Sequence, residues 1–239
     1  MQIILLDFLK CFILLSVHFL VLAGGAILIN RKLKLPSEIF RKLLHVAAVF
    51  SIIPIVLPSS SWIASVMVCG MFQLLAFILT KRIDINKKVN MKERKDGEQL
   101  RSMFLLYFTY ILVIGVCWGL LNQKWMAILS VVAWGVGDAM AAIIGKRFGR
   151  HKIRGRFVDG VKSVEGTLAM FITSFVSVFL LYCRHTALSS FWLVALVCFW
   201  IALFSSISEL MSKNGLDTII CPSVSMAGFA ILTLTVGAI

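Results

Sequence analysis

Eight stretches of this chain, each seventeen or more residues long, are almost wholly apolar, and their repetition limits the fold more than any single motif does. They lie at about 8–29, 40–58, 62–80, 102–121, 125–145, 166–183, 191–208 and 223–239. A helix rises about 1.5 Å per residue, so each is long enough to cross a hydrocarbon layer roughly 30 Å thick. The chain reads as an all-α polytopic membrane protein with about eight transmembrane helices, or seven, forming a single integral membrane domain over residues 1–239. Composition agrees: 60% of the residues are hydrophobic and only 15% charged, with a mean hydropathy of +0.96. The longest polar connections, about 81–101 and 146–165, hold some twenty residues each, too few for a soluble domain.

A net charge of +13 on a soluble surface would point to nucleic acid, but here the bases are sorted by loop. If the N-terminus is outside, 21 of the 24 Lys and Arg residues fall on the cytoplasmic side, leaving only Lys10, Lys124 and Arg184 outside. That asymmetry orients the chain with both termini external and excludes a nucleic-acid partner. "VLAGGA" after the first apolar run has the look of a signal-peptide cleavage site. The segment before that run carries Asp7 and one base, Lys10, so it reads as a retained first span. The six cysteines show no metal-ligand spacing and read as packing residues. "LPSSSW", with Pro and Ser and no charge, reads as a tight external turn.

Against this background Asp138, inside the fifth span in "VVAWGVGDAMAAIIGKRFG", is out of place. It lies about seven residues, roughly 10 Å, inside the cytoplasmic end. An acid at that depth marks either a functional site or a structural ion pair. Gly135, Ala141, Ala142 and Gly145 share its face and form a stripe that admits either another helix or a ligand. Next comes "GKRFGRHKIRGRFVDGVKSVEGT", with seven bases and glycines at 145, 149, 155, 160 and 166. Converging main-chain N–H groups with Lys and Arg suit a phosphate, although the Walker A spacing is absent. This makes Gly145, Lys146, Gly149, Lys162, Ser163 and Glu165 candidates for nucleotide binding, Ser163 equally for capping the sixth span. "EIFRKLLHV" at the start of the second span puts Arg41, Lys42 and His45 on one corner, as phosphate ligands or interfacial anchors, with Glu38 able to pair with Lys42. "SELMSKNGLDTIICP" adds Glu209 and Asp217 in a turn that Gly215 and Pro222 would end. Together with Asp138 they offer three carboxylates to Mg²⁺ at the cytoplasmic surface.

The set "RKLLH", "GDAMAAIIGKRFG", "GVKSVEGT" and "E…GLD…P", over residues 38 to 222, resembles the CTP-dependent membrane lipid kinases, which include dolichol kinase, phytol kinase and a CTP-dependent diacylglycerol kinase. A looser likeness reaches phosphatidate cytidylyltransferase, whose longer C-terminal signature is replaced here by "NGLDTIICP". The resemblance implies transfer of the CTP γ-phosphate to the hydroxyl of a membrane lipid: a polyprenol, a phytol-like alcohol or diacylglycerol. Asp138 and Asp217 would hold Mg²⁺, Asp138, Glu209 and Asp217 would be catalytic, and Arg41, Lys42 and His45 would join the loop residues around CTP. The implied setting is a bacterial plasma membrane with a cytoplasmic active site, and a homo-oligomer is left open. Two other readings share these residues: a CDP-lipid synthase attacking the α-phosphorus, and a transporter, which would place acids or broken helices nearer the midplane.

Overall fold

The computed structural model describes residues 2–82, 98–155, 158, 160–185, 191–212 and 215–236. Its elements are helical: α1 (Gln2–Leu33), α2 (Ser37–Phe50), α3 (Ile52–Val56), α4 (Trp62–Arg82), α5 (Glu98–Ile114) continuing into a π-helical turn (Gly115–Leu120), α6 (Lys124–Phe148), α7 (Val164–His185), α8 (Phe191–Met211) and α9 (Asp217–Val236). Among the described residues the only β pairing is an isolated antiparallel bridge between Lys152 and Ser163. Among the described residues six helical stretches are long and apolar enough to cross a membrane, and Trp62–Ile78 and Asp217–Ile231 are shorter apolar ones. All eight expected spans are therefore helical, and the chain is an all-α polytopic membrane protein. It divides into two compact units, Met1–Lys124 and Trp125–Ile239.

In the first unit α1 is nearly bare, with 11% of its most apolar window buried. Its buried positions Asp7, Cys11 and Leu15 repeat at four-residue steps and form one seam. The second span is not continuous: it breaks at Ser51 between α2 and α3. Pro54 has no N–H to give the Phe50 carbonyl, so the ladder is interrupted there. Carbonyls near such a break need donors, because the bilayer offers none. Ser51 Oγ donates to Ala48 O at 2.6 Å, and the Tyr110 hydroxyl sits 2.9 Å from both Ala48 O and Val49 O. His18 Nε2 lies 2.8 Å from Ala47 O, which favours the tautomer protonated at Nε2.

At one end of this unit the "LPSSSW" turn is tight, as expected, and three charged side chains hold it. The buried Asp7 carboxylate accepts from Ser60 N–H at 2.8 Å. Lys10 donates to Pro58 O at 3.2 Å, and Lys124 to Leu57 O at 2.8 Å and Ser59 O at 2.6 Å. Lys124 also lies 4.8 Å from the centre of the Trp118 ring. The π-helical turn brings Gly119 against Trp62, where a Cβ would stand 3.2 Å from the indole.

The second unit is built on α6, whose residues Met126–Gly135, Gly137, Asp138 and Ala139 are buried. α7 approaches α6 closely because small residues face it. A Cβ on Gly137 would overlap Ser174 Oγ and stand 2.8 Å from Met170 Cγ, and Ser174 Oγ donates to Ala133 O at 2.5 Å. Farther along, a Cβ on Gly166 would stand 3.0 Å from Ala141 O and 3.2 Å from Gly145 Cα. Gly137, Ala141 and Gly145 thus form a helix-packing seam on α6, and of the expected small-residue face Ala141 and Gly145 belong to it.

Several expected boundaries move. α6 continues to Phe148, three residues past the expected end, so Asp138 stands ten residues from its terminus. Lys146 and Arg147 occupy its last turn, where cations complement the carbonyl end of a helix. The connection expected at 146–165 shrinks to 149–163, and most of that expected at 81–101 lies outside the described residues. α9 begins at Asp217, so the expected stop at Pro222 is wrong: Pro222 lies within the helix. Pro222 is the sixth residue of that helix and has no N–H to give the carbonyl four residues back.

Candidate functional site

Acids and bases of the second unit gather where α7 begins and α8 ends, with Asp138 acting on them from within α6. Lys162, in the last residues before α7, reaches the end of α8. Its Nζ lies 3.0 Å from Glu209 Oε1, and it donates to the main-chain carbonyls of Glu209 and, at 3.0 Å, Ser212. The pair is well shielded, with side-chain exposures of 19% for Lys162 and 11% for Glu209. Asp138 on α6 is 8% exposed, and it and Asp217, in the first turn of α9, are close enough for their charges to act on Glu209. One α9 face carries Asp217 and, one turn on, Cys221, a fully buried thiol. The three expected carboxylates are thus neighbours, although among the described residues no three His, Cys, Asp or Glu side chains gather tightly enough to form a metal cage.

The glycines and Ser163 form a different device. Ser163 Oγ, buried, accepts from Gly166 N–H at 3.2 Å and caps α7. The same hydroxyl would stand 3.3 Å from a Cβ on Gly145 or Gly166 and 2.5 Å from one on Gly149, so the three glycines close around it. Gly149 N–H donates to Gly145 O at 3.1 Å, ending α6. Glu165 turns back to the connection, accepting from His151 N–H at 3.2 Å and meeting His151 Nδ1 at 2.7 Å. Ile153 N–H to Lys162 O at 2.9 Å and Val164 N–H to His151 O at 3.0 Å zip the two arms together. The connection is a clamped hairpin that leaves Lys146, Arg147, Arg150, Lys152 and Arg154 exposed.

In the first unit, Arg41 Nη2 donates to Glu38 Oε1 at 2.6 Å, so Glu38 meets Arg41 one turn away. Lys42 is 7% exposed and His45 half-buried on the same helix. Sequence reasoning missed His151, which meets Glu165 fourteen residues away. Nothing local marks it, because its partner lies elsewhere in the chain.

Over 204 residues the chain is 30% identical to the phytol kinase of Synechocystis sp., a match covering 82% of this chain and 79% of that protein. The chain belongs to the family of membrane lipid kinases that includes phytol kinase and dolichol kinase. It is 39% identical over 80 residues to dolichol kinase sec59 of Schizosaccharomyces pombe, covering 34% of this chain and 14% of that protein. With the dolichol kinase of Saccharomyces cerevisiae it shares 44% identity over 48 residues, 20% of this chain and 8% of that protein. The chain therefore corresponds to a small part of each dolichol kinase. No family model and no solved structure matches it.

Proposed function

We propose that this protein transfers the γ-phosphate of CTP to the hydroxyl of a membrane lipid alcohol, an isoprenoid alcohol or diacylglycerol, at the cytoplasmic face of a bacterial plasma membrane. The observation that carries this reading is the match to phytol kinase along 82% of the chain. Phosphoryl transfer asks a protein for positioning and charge neutralisation more than for covalent chemistry. The lipid oxygen attacks the γ-phosphorus, the bond to the bridging oxygen breaks, CDP leaves with the electron pair, and the hydroxyl proton passes to a carboxylate. In this reading Glu209 takes that proton, and the exposed bases at the end of α6, Lys146 among them, meet the phosphates.

Mg²⁺ suits this acid set. It is ordinarily held by one or two carboxylates plus phosphate oxygens and needs no complete protein cage. Asp138 and Asp217 would hold it, and when bound it would neutralise charge on the phosphates. The test is a lipid extract incubated with purified protein and either γ- or α-labelled CTP. Label from the γ position alone in a lipid product, with CDP released, is the expected result. Label from the α position with pyrophosphate release would make the protein a CDP-lipid synthase instead.

A further inference from the structure

The connection before α7 looked in sequence like a place where Lys162 would face a nucleotide, but its ammonium is turned the other way. Its three partners belong to the end of α8: Glu209 Oε1 at 3.0 Å, the Glu209 carbonyl, and Ser212 O at 3.0 Å. An ammonium has three N–H donors, so these contacts use its full capacity. The carbonyls it takes are among the last of a helix, where a cation is best placed. Immediately beyond, Gly215 adopts φ +76°, and the chain re-enters a helix at Asp217.

We infer that Lys162 is a positioning residue acting through Glu209 and the α8–α9 turn, and not a ligand of the nucleotide. It holds the Glu209 carboxylate and fixes the turn that delivers Asp217 to the same cluster as Asp138. Two features of the fold keep it there. Ser163, the next residue, is locked among Gly145, Gly149 and Gly166, and the hairpin behind it is closed by the Ile153–Lys162 main-chain bond at 2.9 Å. A lysine so tethered, and only 19% exposed on its side chain, has little freedom to leave a paired carboxylate for a diffusing phosphate. Glu209 in turn has reason to keep it: an ionised carboxylate this shielded, with two further acids acting on it, needs a cation beside it.

This assignment rests on the proposed kinase reading for its kinetic part and stands apart from it for its stability part. The experiment compares the full chain with K162M, K162R, E209Q and K162M/E209Q, measuring melting temperature in detergent and steady-state transfer with CTP varied. K162M is expected to melt lower than the parent and to lose at least tenfold in kcat, with KM for CTP changed less than about threefold. K162R should recover most of kcat, since a guanidinium can serve the same carboxylate and carbonyls. K162M/E209Q should regain the lost melting temperature, because neither charge is then left alone, and remain inactive. If K162M does not fold, refolding of the double variant supports the assignment and its failure to fold overturns it. A tenfold or larger rise in KM for CTP with kcat near the parent value would make Lys162 a nucleotide ligand, and an unchanged melting temperature with unchanged kinetics would leave it no role. If the parent transfers phosphate to no alcohol the kinase reading falls, while the melting series still decides whether Lys162 and Glu209 depend on one another.

Discussion

Replacing Gly149 by alanine separates two roles for the glycines between α6 and α7, because a phosphate cradle and a packing seam respond differently. The new Cβ would overlap the Gly145 carbonyl oxygen and stand 2.5 Å from Ser163 Oγ and 2.9 Å from Ser163 Cβ. Neither neighbour yields easily. The Gly145 carbonyl is held by the Gly149 N–H at 3.1 Å, and the Ser163 hydroxyl is the cap of α7. Forcing a methyl into a filled site costs about 1–3 kcal/mol, and displacing a serine cap adds about 1 kcal/mol. The sum is about 2–4 kcal/mol. For a chain of this size each kcal/mol moves the melting point by roughly 2–4 °C, so G149A should melt roughly 5–15 °C lower in detergent, read by tryptophan fluorescence. G155A is the control. A Cβ at Gly155 would meet only Val158 Cγ2 at 3.8 Å, so its melting point should stay within roughly 2 °C of the parent, an exposed alanine being neutral or slightly stabilising. A G149A protein that melts like the parent but binds CTP at least tenfold more weakly would refute the packing account and return this glycine to the nucleotide.

Asp138→Asn should lower transfer by at least a hundredfold while the melting point falls little; loss of about 3–5 kcal/mol of stability would instead mark Asp138 as half of a structural ion pair. Tyr110→Phe should cost about 1–2 kcal/mol in thermal unfolding, because its hydroxyl serves the Ala48 and Val49 carbonyls beside the α2–α3 break; an unchanged melting point would show that the break needs no donor. With the exposed Cys183 replaced by serine, a cysteine at Asn122 should react with an impermeant reagent on intact cells and one at Arg154 should not; the reverse pattern would invert the orientation.

The spans were legible because twenty apolar residues in a row carry a length signal that needs no tertiary context. Their ends were less so. Asp217 and Pro222 look like turn residues, yet an acid suits the first turn of a helix, and α9 runs on through Pro222, its sixth residue. Ser163 could be read as a cap because its partner is three residues away. The spacing of Gly145, Gly149 and Gly166 could not decide between an anion and a neighbouring helix, since both ask for the absence of a side chain. Lys162 and Glu209 are 47 residues apart and His151 and Glu165 fourteen, and no local pattern announces pairs that exist only once helices are packed. The proximity of Asp138, Glu209 and Asp217 was anticipated from their common side of the membrane, whereas the lysine among them was not.

The bareness of α1 has a consequence for how this chain changes over generations. Selection for packing acts on its single seam, where Asp7, Cys11 and Leu15 meet the rest of the first unit, and where His18 serves the Ala47 carbonyl. Many other positions along the helix are exposed, Leu5, Leu6, Ile13, Val21 and Leu28 among them, and in a bilayer these need only remain apolar. Leucine, isoleucine, valine and phenylalanine are then interchangeable over most of its length, so neutral drift should erase similarity in α1 first. A descendant could retain the whole cluster of acids and bases in the second unit while its first helix had become unrecognisable except as a hydrophobic length with an acid near its beginning.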